Sequence, residues 1–155
     1  MLDARDSHPR SSGPLATTDQ TDPASMIHMD DQAVFEMIGE EGFARLVASF
    51  YAQVRRDDVV GPMYPEHDLA GAEQRLRDFL VVRFGGPPRY FERRGHPRLR
   101  MRHAPFAIDQ VARDRWVAMM ERALEESNLP TEASTILREF LLTTATFLIN
   151  RAPQL

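Results

Sequence analysis

The stretch Glu92-Arg93-Arg94-Gly95-His96-Pro97-Arg98-Leu99-Arg100-Met101-Arg102-His103-Ala104-Pro105-Phe106 decides how the chain is read. Pro97 can open a short helix, because a residue in the first turn needs no N–H donor, and Pro105 blocks the helix from continuing. His103 then falls in the last turn, with Leu99 one turn earlier on the same face. A histidine so placed can turn its imidazole into an apolar pocket while its other ring nitrogen seeks a backbone carbonyl. It also fits a plainer role, a half-exposed histidine whose charge is favoured at a helix C-terminus. His96 precedes the predicted helix and is expected to face solvent or a turn.

Working outward, Gly85-Gly86-Pro87-Pro88 closes a preceding helix read from about Asp68 to Phe84, with Leu69, Ala72, Leu76, Phe79 and Leu80 on one face. Residues 89–95 are expected to form a loop. Further back, Phe43, Leu46, Val47, Phe50, Tyr51 and Val54 recur at three- and four-residue spacings, a clean helical stripe with Tyr51 in its middle. Gly61-Pro62 and Tyr64-Pro65 break the chain after it. Asp30 reads as the N-cap of a short first helix containing Val34, Phe35 and Ile38 and stopping near Gly39. On the other side of His103, Asp109 reads as the N-cap of a helix whose inner face carries Trp116, Met119, Met120 and Ala123. After Asn128-Leu129-Pro130, Thr131 is the expected cap of a last helix striped by Leu137, Phe140, Leu141, Thr144 and Leu148. No run alternates like a strand. The fold class is all-α, with residues 30–155 as one domain and residues 1–29 as a tail rich in Asp, Ser, Thr and Pro, expected to be disordered.

Composition narrows the chemistry. The 155 residues contain 43% hydrophobic and 27% charged residues, ordinary for a globular domain. There is no cysteine, which removes disulfides, thiolate metal sites and cysteine nucleophiles and suits a reducing cytoplasm, the expected location. All 19 basic residues are arginine, so Schiff-base and P-loop lysine chemistry is absent as well. A net charge of −4 argues against a surface built for nucleic acid, and no apolar run is long enough for a membrane span.

The polar aromatics add a second feature. Tyr51 and Trp116 sit on the apolar faces of their helices, and Tyr64 follows the break. Each alone could be a core residue satisfied by a carbonyl. Together they would line a pocket with donors suited to a polar or anionic ligand such as dioxygen. A histidine placed like His103 also suits the role of axial ligand to haem iron.

The blocks Phe50-Tyr51-Ala52-Gln53-Val54, Met63-Tyr64-Pro65-Glu66, Leu69-Ala70-Gly71-Ala72-Glu73, Gly85-Gly86-Pro87 and Arg113-Asp114-Arg115-Trp116 resemble group II truncated haemoglobins. So does the long block from Glu92 to Phe106, and the likeness runs from about Val34 to Asn150. It implies a shortened globin, a two-over-two helical sandwich around one haem b (iron protoporphyrin IX). By that likeness His103 is the proximal iron ligand, and Tyr51, Tyr64 and Trp116 line the distal side. Ala72 matches the position where many globins carry a distal histidine. Leu76, Phe79 and Leu80 would pack the distal wall, and Phe91, Leu99 and Met101 the proximal side. The arginines at 89, 93, 94, 98, 100 and 102 are either a solvated basic loop or partners for the haem propionates, with Arg98 and Arg102 the better-spaced pair. Arg83 departs from the uncharged character of its stretch in the family.

The implied function is reversible binding of oxygen or another diatomic gas. The alternative is a haem redox enzyme, of nitric oxide dioxygenase-like or peroxidase-like activity, acting on nitric oxide, nitrite or peroxide with electrons from a separate donor. A helical interaction module without haem is the third reading. No partnership with nucleic acid or membrane is expected, and a homo-oligomer is compatible with the sequence.

Overall fold

A computed structural model describes residues 29–153, and the expected tail up to residue 28 lies outside them. Seven α-helices follow one another: α1 (Met29–Gln32), α2 (Val34–Val54), α3 (Leu69–Arg83), α4 (Arg89–Arg94), α5 (Leu99–His103), α6 (Gln110–Glu126) and α7 (Thr131–Phe147). Two 3-10 turns, Gly61–Met63 and Glu66–Asp68, join α2 to α3. No strand occurs among the described residues. The long helices form two pairs, α2 with α3 and α6 with α7, and α2 packs on both α3 and α6. This is the two-over-two arrangement.

The core is what the stripes predict. Phe43, Leu46 and Phe50 of α2, Leu80 of α3, Met120 of α6 and Leu137 of α7 are wholly buried, joined by Phe84 just past α3. Ring contacts knit the pairs together, Phe84 to Phe140 at 5.3 Å and Phe79 to Tyr90 at 5.5 Å between centroids. Asp109 caps α6 as expected, accepting from the Ala112 N–H. No described helix is long and apolar enough to cross a membrane.

Four local expectations are corrected. Residues 89–94 form a helix, not a loop. Tyr90 seats this segment on Phe79, and two of its arginines reach Asp78 of α3, while Gly95 (φ 71°) ends it. Second, α5 starts at Leu99, because Arg98 adopts the left-handed conformation (φ 42°, ψ 56°) and cannot continue a helix begun at Pro97. Third, Asp30 lies inside α1 rather than capping; the expected stop at Gly39 is present as a non-helical break within α2 (φ 61°, ψ −176°) that separates its two helical stretches. Fourth, Thr131 is the first residue of α7, and Pro130 occupies the cap.

Arg83 has an internal role. Buried at the end of α3, it pairs with Asp31 of α1 at 3.0 Å and lies over the rings of Phe84 and Phe140. The glycine two residues on is obligatory. Gly85 has φ 99°, and a Cβ there would run into the Gln32 carbonyl oxygen. Gly85→Ala is therefore expected to destabilise the fold by at least about 2 kcal/mol, measured as a lowered urea midpoint. An unchanged midpoint would show that the α1–α3 junction does not need this geometry.

Candidate functional site

Three polar aromatics from separate segments converge between α2, α3 and α6. Tyr51, 3% exposed on α2, donates its hydroxyl to the Ala72 carbonyl of α3 at 3.1 Å. The Tyr64 ring meets Tyr51 edge-on, 5.4 Å between centroids. Trp116 of α6 packs edge-on against Phe50 at 5.2 Å. The Trp116 indole, which can only donate, and the Tyr51 hydroxyl both lie close enough to Tyr64 to influence its titration. Burial pushes both phenols well above their ordinary titration range. Both remain protonated donors across physiological pH.

The chain reaches this geometry through its turns. After α2, the Asp57 carboxylate accepts the Val59 and Val60 N–H groups at 2.9 and 2.7 Å and pairs with Arg115 at 2.9 Å. One acidic residue thus shapes the turn that leads to Tyr64 and ties it to the helix position beside Trp116. The two hydrogen bonds and the Arg115 guanidinium hold the Asp57 carboxyl below its usual range despite its desolvation. Ala72 is buried beside Tyr51, Leu76 is half-buried, Phe79 is 7% exposed, and Leu80 is wholly enclosed in the core.

His103 stands half-buried at the end of α5. Its Nδ1 lies 2.7 Å from the Leu99 carbonyl oxygen, which can only accept, so Nδ1 carries the proton and Nε2 keeps its lone pair. Desolvation lowers its titration below the ordinary 6.5, outweighing that hydrogen bond. The result is a neutral, oriented imidazole with one free nitrogen. His96 is exposed, and its Nδ1 accepts the Arg98 N–H at 3.2 Å in the turn before α5. Leu99 is buried, whereas Phe91 and Met101 are 47% and 58% exposed.

The arginines fall into place differently from the expected pairing. Arg98 is exposed. Arg102 is committed to the main chain, donating to the carbonyls of Pro97 and Arg94, each at 2.8 Å. Arg75, Arg93 and Arg94 instead line a cavity of about 200 Å³ between α3 and α4, with Gly71, Gln74, Asp78 and Tyr90. Sequence reasoning missed Arg75, although its position three residues after Ala72 on the same helix was the available signal. Among the described residues no three His, Cys, Asp or Glu side chains gather as a metal cage.

Residues 33–150 match the model of the bacterial-like globin family, and the chain belongs to that family. Membership implies a haem cofactor and the binding of oxygen or another diatomic gas. Among its relatives is group 2 truncated hemoglobin YjbI of Bacillus subtilis, 37% identical over 119 residues, spanning 77% of this chain and 89% of the relative. A thermostable hemoglobin from the actinobacterium Thermobifida fusca superposes with a TM-score of 0.73 at 48% identity, covering 76% of this chain and 96% of that one. The truncated oxygen-avid haemoglobin from Bacillus subtilis gives a TM-score of 0.72 at 37% identity, covering 76% and 98%.

The lowered titration of His103 has a testable sign. Between its unfolded value near 6.5 and its lower folded value, the unfolded chain binds more protons, so stability falls as pH drops through that window. The haem-free protein is expected to lose urea resistance between pH 7 and about pH 5.5, with a shallower loss in His103→Gln. Equal slopes in both proteins would contradict a buried neutral imidazole.

Proposed function

We propose that the chain holds haem b through His103 and reversibly binds oxygen or another diatomic gas on the opposite side, where Tyr51, Tyr64 and Trp116 hydrogen-bond to it. The observation that carries this reading is the convergence of three protonated donors from separate segments, alongside a neutral imidazole with its Nε2 free. The donor set fits the cofactor. A single histidine without companion ligands suits an iron whose other ligands belong to a macrocycle. The Arg75, Arg93 and Arg94 cavity suits the two propionates, since each guanidinium offers a planar fork to a carboxylate. Arg75 and Arg93 also pair with Asp68 and Asp78, so the cavity is not an uncompensated positive charge.

When bound, haem supplies the iron site at which a diatomic gas is held. The protein supplies orientation and polarity. The Leu99 carbonyl accepts the Nδ1 proton of His103, which fixes the ring and raises the basicity of Nε2. Tyr51 can turn its hydroxyl from the Ala72 carbonyl toward the gas, and the short Ala72 side chain leaves room for that approach. Trp116 and Tyr64, packed edge-on against Phe50 and Tyr51, would complete the cage. Buried phenols and an indole do not ionise over the working pH range, so the cage keeps its donors.

Hydrogen bonds to a partly charged acceptor contribute about 1.5–3 kcal/mol each. Removing one donor is therefore expected to raise the oxygen dissociation rate by about 10–100 fold. Stopped-flow measurement of Tyr51→Phe and Trp116→Leu in the haem-reconstituted protein checks this. Rates matching the unsubstituted protein in both variants would sink the donor cage.

A further inference from the structure

We propose that Asn150 is a positioning residue for His103, fixing the main chain on the C-terminal side of the histidine. The inference rests on the reading of His103 as the haem ligand. Asn150 follows α7, 47 residues from His103 in sequence, and its side chain is exposed. Its carboxamide nonetheless makes three long-range contacts. Nδ2 donates to the Phe106 carbonyl at 2.9 Å and to the His103 carbonyl at 3.3 Å, and Oδ1 accepts the Ile108 N–H at 2.9 Å. The main chain reinforces them, as the N–H groups of Asn150 and Arg151 both donate to the Ile108 carbonyl, at 2.8 and 3.1 Å. The Phe106 N–H adds a second donor to the His103 carbonyl at 3.0 Å.

The geometry gives these contacts their meaning. α5 has five residues, too few for a helix to hold itself. The segment after it, residues 104–107, is exposed. His103 is thus held at two points, its ring by the Leu99 carbonyl and its backbone by Asn150 at the end of α7. The clamp needs a carboxamide. Two carbonyls require a donor and one N–H requires an acceptor, and the reversed amide orientation would set donor against donor at Ile108. A carboxylate would keep the acceptor but oppose both carbonyls. If the two-point hold sets the direction of the imidazole, loosening Asn150 alters the bond that His103 makes, even though Asn150 touches neither the ring nor the cavity.

The test uses the full chain loaded with haem, with Asn150→Ala, Asn150→Asp and His103→Gly as variants. Two readouts are taken, backbone amide hydrogen exchange and the iron–histidine stretching band of the ferrous protein by resonance Raman. In Asn150→Ala the Ile108 amide, which loses its acceptor, is expected to exchange about tenfold faster, the effect of one lost hydrogen bond, and the stretching band to shift and broaden. Asn150→Asp, which keeps only the acceptor, is expected to shift the band while sparing the Ile108 amide. This variant decides the matter if Asn150→Ala fails to fold. Faster exchange with an unmoved band overturns the proposal, since Asn150 would then only fasten the chain end. A band that survives in His103→Gly overturns the ligand assignment itself, and the positioning role with it.

Discussion

Asp78 is a buried carboxylate on α3, and the irregular half of the molecule hangs on it. It accepts from Arg93 at 3.1 Å and faces Arg89 at 3.6 Å, while Arg89 also reaches Glu40 on α2. Burying a carboxylate costs several kcal/mol unless it is paired and hydrogen-bonded, and here both guanidinium groups come from the same short helix. The Asp78 side chain therefore holds α4 against α3, with Tyr90 packed on Phe79 beside it. The direction of α4 fixes where Gly95 turns the chain, where Arg98 takes its left-handed conformation and where α5 begins. His103 stands at the end of that sequence of constraints. Because the arginines are partly exposed, solvent screening weakens the pairings, but the geometry they impose remains.

The aromatic cluster is built on another principle. The three donors sit in different environments: Tyr51 on a long helix, Tyr64 beyond a 3-10 turn and Trp116 on α6. Asp57 shapes the turn and pairs with Arg115, so the loop that leads to Tyr64 and the helix that carries Trp116 cannot shift independently. The Ala72 carbonyl accepts the Tyr51 hydroxyl, which lets that polar atom be buried without large cost. Under the proposed function, a bound gas with negative character would meet these donors after the reorientation of one hydroxyl. The orientation of the His103 ring and the packing of the aromatic cluster are set by separate devices.

The long helices were legible in the sequence because they rest on local rules. The stripe around Phe50 and Val54, the Asp109 cap and the Gly85 stop each depend on neighbours within a turn or two. So did the pairing of His103 with a backbone carbonyl, since Leu99 lies one helical turn back. The α4 helix was not legible. Its residues carry no strong periodic stripe, and its stability comes from Asp78 and Phe79 of the preceding helix. The left-handed Arg98 was hidden for the same reason, since nothing local predicts an arginine there. Arg102 looked available to a carboxylate, whereas its donors go to two carbonyls in the loop before it. Asn150 gave no signal at all, because its partners lie some forty residues earlier.

The absorption spectrum of the haemin-reconstituted protein beside His103→Gly tests the central claim most directly. The account predicts an intense near-ultraviolet haem band and a five-coordinate ferrous form with a clean carbon monoxide shift, all weakened in His103→Gly and restored by added imidazole. Identical spectra from the two proteins would contradict it and would direct attention to His96.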